Sequence, residues 1–240
     1  MPLALRATGV GCHWRWVPLA SRQCFLHSDN SISEKRIQSN DSEPTKMPSR
    51  FHRKLVKHAH EAGYHHELTF SCYRRLPLLD DDDRRGYLAS SIAKACVATG
   101  AGLIAFVFMP EHVHLLVRPD DHDPKLPAFL AACKRPVSAQ VRADLERIKS
   151  QMLTQLMIRE RPGKMSFRFW QEGPGYDRNL NNPKTILAAI DYLHLNPVRR
   201  GLCDRAIDWT WSSANYFVTD RQRTDERHPP LTQLSFEAIE

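Results

Sequence analysis

A chain of 240 residues, 42% of them apolar and 25% charged, is long enough for one ordinary domain with appendages, and none of its apolar runs approaches the roughly 18 residues a membrane-crossing helix needs. Lys and Arg outnumber Asp and Glu by 34 to 27, giving a net charge of +7 and a pI near 9.2, a balance that favours a polyanionic partner such as nucleic acid. The six cysteines (Cys12, Cys24, Cys72, Cys96, Cys133, Cys203) stand singly with no C-x-x-C pair, which argues against structural zinc or dithiol chemistry and for a reducing compartment.

Residues 1–46 show neither a heptad nor an alternating pattern and end in a polar run just before Met47; the expectation is a disordered extension. Arg6, Arg15 and Arg22, with no acid in the first 28 residues, give it a loose likeness to an organellar transit peptide. The plainer account is a non-structural stretch ahead of a start at Met47. Residues 47–64 form a basic arm in which Phe51, Leu55 and Val56 interleave with Arg53, Lys54 and other cations. This segment reads either as a nucleic-acid-binding arm or as a solvated positive one.

His66–Arg74 alternates and is rich in strand formers, with Leu68, Phe70 and Cys72 on one face. The acids Asp80–Asp83 precede a helix carrying Leu88, Ile92, Ala95, Cys96 and Thr99; there they cap donors and offset the dipole, and Gly100 stops the helix. A strand over Gly102–Met109 and another ending near Arg118 flank the break at Pro110-Glu111. His112 and His114 open the second of these strands. Their i, i+2 spacing points both imidazoles one way while Val113, Leu115 and Val117 point the other.

After a loop over residues 119–124, Leu126–Leu156 reads as helical with a break or kink near Pro136, and Phe167–Trp170 reads as the fourth strand, with Gly173-Pro174-Gly175 interrupting regular structure behind it. The order βαββαβ predicts an α+β, ferredoxin-like (split βαβ) antiparallel sheet with helices on one face. Asn182-Pro183 then starts a further helix, expected to end at Asn196 because Pro197 follows. Ile186, Ile190 and Leu193 make its core stripe, and Tyr192 and Asn196 stack one turn apart on a neighbouring face. Residues 65–218 are thus expected to form the main domain and 219–240 a tail. On these residues alone the histidines are either half a metal site or a satisfied core pair, and Tyr192 is either reactive or an edge-sealing tyrosine.

Four blocks in register, P-E-H-V-H-L-L-V (110–117), F-W-Q-E-G-P-G-Y-D-R-N-L (169–180), D-Y-L-H-L-N-P-V-R-R-G-L (191–202) and D-W-T-W-S-S-A-N-Y-F (208–217), closely resemble the REP-associated tyrosine transposases, a branch of the single-strand DNA transposases with a His-hydrophobic-His motif. The resemblance implies that His112 and His114 hold a divalent metal, Mg²⁺ or Mn²⁺, with Asn196 as a third, oxygen ligand, and that Tyr192 is the nucleophile. Two imidazoles favour Mn²⁺ on chemistry alone. It further implies cleavage and rejoining of single-stranded DNA beside palindromic repeat hairpins through a 5′-phosphotyrosine. Arg53, Lys54, Arg178, Arg199 and Arg200 are the candidate DNA contacts, with Trp170 or Tyr176 as a candidate base platform. A cytoplasmic, nucleoid-associated monomer or homodimer is expected. The competing readings are a domesticated, non-cleaving repeat-DNA-binding protein of the same fold and a metal-dependent hydrolase that uses water in place of Tyr192.

Overall fold

The computed structural model describes residues 63–219 apart from 124 and 174, residues 225–234, and the backbone of two strands near the start of the chain. Those strands, β1 (Leu3–Ala7) and β2 (Trp14–Pro18), pair antiparallel with Ala4 opposite Val17, so a paired hairpin stands within the extension expected to be disordered. They belong to a unit spanning Met1–Arg53, separate from the unit Lys54–Glu240. The rest of residues 1–46 and the basic arm with Arg53 and Lys54 lie outside the described residues.

The larger unit is built on a four-stranded sheet of β3 (His65–Ser71), β4 (Gly102–Phe108), β5 (His112–Arg118) and β8 (Tyr176–Leu180), in the order β4-β5-β3-β8 with every neighbour antiparallel. Helices α1 (Asp82–Thr99) and α2 (Leu126–Arg147) connect β3 to β4 and β5 to β8, which is the split βαβ arrangement. Asp81 caps α1 by accepting the Arg84 N–H at 3.1 Å, and Gly100 ends it in the left-handed region at φ 70°. Both are as the acids and the glycine predict.

Strand alternation divides the core in two. Leu68 and Phe70 of β3 and Val113, Leu115 and Val117 of β5 pack against Leu88 and Ile92 of α1 and Phe129, Val137 and Val141 of α2. On the other face, Leu116 and residues of β4 meet α4 (Pro183–His194) through Ile186, Ala189, Ile190 and Leu193. A bulge between Leu103 and Ala105 turns both Ile104 and Ala105 toward α4. No helix among the described residues is long and apolar enough to cross a membrane.

Three sequence expectations are corrected. The fourth strand is Tyr176–Leu180, while Phe167–Trp170 contributes only the end of β7 (Lys164–Phe167), paired with β6 (Met157–Arg161), and one bridge from Trp170 to Cys72. The apolar run F-R-F-W buries Phe169 and Trp170, and its backbone pairs only briefly with the chain just past β3, the Tyr73 N–H donating to the Phe169 carbonyl at 2.8 Å. Helix α2 passes through Pro136 unbroken; Pro136 is on the exposed side, where the carbonyl it releases turns to solvent. The break comes at Ile148–Ser150, with Lys149 at φ 51°, before α3 (Gln151–Leu156). Helix α4 stops at His194, and a single turn, α5 (Asn196–Arg199), follows with Pro197 in its first turn, where a missing N–H costs nothing.

Candidate functional site

The turn Met109–Glu111 closes when the Met109 N–H donates to the His112 carbonyl at 2.9 Å, which sets β5 to begin on His112. Alternation then carries His112 and His114 to the α4 face, opposite the valines and Leu115. Their rings lie 4.7 Å apart at 82°, with the two Nε2 atoms 2.9 Å from each other. Each Nδ1 is held from outside the pair, that of His112 by Glu111 Oε1 at 3.1 Å and that of His114 by Thr69 Oγ1 at 2.8 Å. Thr69 reaches it because it stands directly opposite His114 across the β3–β5 ladder.

The Glu111 carboxylate only accepts, which puts a proton on His112 Nδ1 and leaves its Nε2 lone pair free, whereas the Thr69 hydroxyl can donate to or accept from His114 Nδ1. Burial lowers both histidines, His112 against the raising pull of Glu111, and His114 to about 3. Both imidazoles are therefore neutral at pH 7, the state that binds a metal. With their Nε2 atoms 2.9 Å apart, the two imidazoles are close enough to share one ion.

The Asn196 carboxamide joins the pair, its Nδ2 lying 3.0 Å from His114 Nε2. Half a turn about its last side-chain bond presents Oδ1 to the same point. Among the described residues no cluster of three or more His, Cys, Asp or Glu is arranged to hold a metal. Asn196 is buried, and its place at the first turn of α5, just past the end of α4, brings it under β5.

Tyr192 is 48% exposed, with its ring centroid 6.3 Å from that of His114 at 89°. The Arg199 guanidinium lies over the ring at 4.6 Å, a contact that fixes the ring's orientation. The phenol thus flanks the imidazoles and is not turned into the core.

The remaining expected contacts separate. Arg200 donates to Glu111 Oε1 at 2.6 Å and so completes a chain from α5 through Glu111 to His112. Burial pushes the Glu111 carboxyl up, but the Arg200 hydrogen bond with the charges of His112 and Arg200 outweighs it and leaves the carboxyl below its usual range. An ionised carboxylate so engaged orients His112 and is poorly placed to take a proton from Tyr192. Arg178, half-exposed, pairs with the buried Glu67 at 2.7 Å. Of the two aromatics, Trp170 is buried with its Nε1–H on the Lys134 carbonyl, whereas Tyr176 is 54% exposed. Tyr176 pairs with Thr69 and so shares the face of the histidines. Gly175, at φ 91°, lets β8 start there, since a Cβ would run into the Thr69 carbonyl.

Sequence reasoning missed Thr69 and the placement of Arg199. Thr69 was findable as the polar residue alternating with Leu68 and Phe70. Arg199 was not, because its stacking depends on the turn at Leu195.

No family profile matches the chain. A Haemophilus influenzae protein named, provisionally, as a REP-associated tyrosine transposase is 26% identical over 110 residues, 46% of this chain. The match spans 57% of that relative's length. A solved structure of a REP-associated tyrosine transposase bound to a REP hairpin superposes with a TM-score of 0.52 at 18% identity, covering 77% of this chain and 95% of the other; at that identity the likeness shows the fold. A provisionally assigned transposase from Deinococcus radiodurans gives a TM-score of 0.37 at 18% identity over 57% of this chain and 94% of its own, too loose an overlap to argue from.

Proposed function

We propose, from the chain's kinship with the REP-associated tyrosine transposases, that it is a metal-dependent transposase acting on single-stranded DNA at palindromic repeat hairpins, in the cytoplasm and with the nucleoid. The observation that carries this reading is the convergence of His112 Nε2, His114 Nε2 and the Asn196 carboxamide beside the Tyr192 ring. Three groups from β5 and α5 and a phenol from α4 meet within one chain, so a monomer suffices for the reaction.

His112, His114 and Asn196 would hold Mg²⁺ or Mn²⁺, two imidazoles favouring Mn²⁺, and the ion supplies Lewis-acid stabilisation of charge on a phosphate oxygen. Tyr192 is the nucleophile. A free phenol has a pKa of about 10 and is mostly neutral at pH 7, so its proton leaves for solvent as the Oη–P bond forms and the bond from phosphorus to O3′ breaks. The departing O3′ takes up a proton, which leaves a 5′-phosphotyrosine and a free 3′-hydroxyl. Attack by another 3′-hydroxyl reverses the exchange, and because one phosphodiester replaces another, no nucleotide cofactor is required. Arg199 holds the phenol ring, and Arg200 acts through Glu111 on His112. Tyr176 and Arg178, both on β8 and on the histidines' face of the sheet, would meet a base and a phosphate.

The test is a labelled hairpin oligonucleotide with a single-stranded flank, incubated with Mn²⁺ and resolved under denaturing conditions. A covalent protein–DNA adduct that disappears in Tyr192→Phe supports the reading. Binding without an adduct in the wild type supports a domesticated binder, and cleavage that survives Tyr192→Phe supports a water-using hydrolase.

A further inference from the structure

A second basic surface lies on the opposite side of the chain from the histidines' face. The ribbon β6–β7 pairs only with itself, and every residue from Arg159 to Met165 is exposed. A two-stranded ribbon of this length has no core of its own and is marginal in water, so burial does not explain its form. Its tip reads R-E-R-P-G-K. Lys164 is held by Glu160 at 2.6 Å, whereas Arg159 and Arg161 have no carboxylate partner among the described residues.

Beside the ribbon, the outward stripe of α2 presents Arg135 and Arg142, both exposed, while Cys133, Val137 and Val141 face the core. Between β7 and this stripe runs a groove of about 590 Å³, floored by Phe167 and Trp170 and rimmed by Arg135 and Arg142. Arg142 is engaged by Glu146 at 2.8 Å; Arg135 has no such partner among the described residues. The ribbon is rooted at the histidine end of the sheet. The strand leaving it bridges Cys72 through Trp170, and the Gln171 N–H donates to the carbonyl of Ser71, the residue opposite His112.

We propose that the β6–β7 ribbon and the outward face of α2 are the dock for double-stranded DNA, namely the stem of the hairpin, which rests on the hairpin substrate proposed above. A two-stranded ribbon is one of the two protein elements that the roughly 12 Å major groove admits. The guanidiniums of Arg159 and Arg161 at its tip and of Arg135 on α2, none with a carboxylate partner among the described residues, match phosphates on the two sides of such a groove. Rooting the ribbon beside Ser71 and His112 then delivers the strand that leaves the stem to the catalytic face around the edge of β3. The dock thereby separates two tasks: the stem is held by charge on α2 and β6–β7, and the scissile flank is positioned on β3, β5 and β8.

The experiment measures the affinity of the metal-free protein for a hairpin with its single-stranded flank and for the flank alone, in wild type and in Arg135→Glu/Arg159→Glu/Arg161→Glu. All three residues are exposed, and thermal melting checks that the variant folds. The dock predicts a loss of tenfold or more on the hairpin, a salt dependence shallower by about one logarithmic slope unit per lost phosphate contact, and unchanged affinity for the flank. Equal loss on both probes, or a variant that keeps the wild type's preference for the hairpin, overturns the dock alone. A wild type that binds both probes equally overturns the hairpin reading beneath it.

Discussion

The two faces of β5 use consecutive residues for opposite purposes. Val113, Leu115 and Val117 enter an apolar layer with α1 and α2, whereas His112 and His114 look toward α4 from a buried polar cluster of Thr69, Glu111 and Asn196. The first face gains stability from area removed from water. The second holds desolvated imidazoles with their Nε2 atoms 2.9 Å apart, polar groups whose burial costs stability unless partners offset it. A period of two lets one strand carry both without compromise, and it also means that a one-residue register slip would exchange them.

The comparison breaks most visibly at the histidines. His114→Ala is expected to abolish Mn²⁺-dependent adduct formation while leaving the metal-free melting temperature equal to or above that of the wild type, which calorimetry with and without Mn²⁺ resolves. A large metal-free destabilisation would show that the pair serves the core. Mixing His114→Ala with Tyr192→Phe should fail to restore the adduct, since one chain supplies both groups; recovery would place the phenol on a second copy.

Next in size is the neighbouring position on the other face. Leu115→Ala should cost about 2–5 kcal/mol in denaturant unfolding with adduct formation intact below the lowered transition. Thr69→Val keeps the shape and removes the partner of His114 Nδ1, and a loss of about 10–100-fold in Mn²⁺ affinity or adduct rate is expected from such an outer hydrogen bond, with little change in stability.

The smallest effect concerns Asp191, beside Tyr192 on α4, whose carboxyl burial pushes up to about 6. A carboxyl raised in the folded state binds protons more readily there than in the unfolded chain, so its ionisation destabilises the fold as pH rises from about 4 through 6. Asp191→Asn should therefore raise the melting temperature at pH 7 to 8, with the gain fading toward pH 4. A gain that does not depend on pH would show that the carboxylate's charge is not the cause.

Much of this was legible in the chain. The alternation around His112 and His114 fixed which side chains share a face, because a strand has no other way to place i and i+2. Asp81 and Gly100 bracketed α1, and Asn182 with Pro183 started α4. Phe167–Trp170 misled because burial of Phe169 and Trp170 looks the same in sequence as membership of a sheet. Tyr176–Leu180, with only Tyr176 and Leu180 apolar, takes the edge of β3 because Gly175 lets the backbone approach Thr69.

The sequence by itself determined the shared face of the two imidazoles and the bounds of α1, since the first depends only on the repeat of a strand and the second on local capping. Tertiary structure alone decided that Thr69 and Glu111 hold the outer nitrogens, that Arg199 covers the phenol, and that Arg178 and Arg200 are engaged by carboxylates. Apart from that of Glu111, which adjoins His112 in the chain, those contacts join residues 45 to 111 positions apart or hang on a single turn at Leu195, and local periodicity carries no information about which distant side chain completes a buried hydrogen bond.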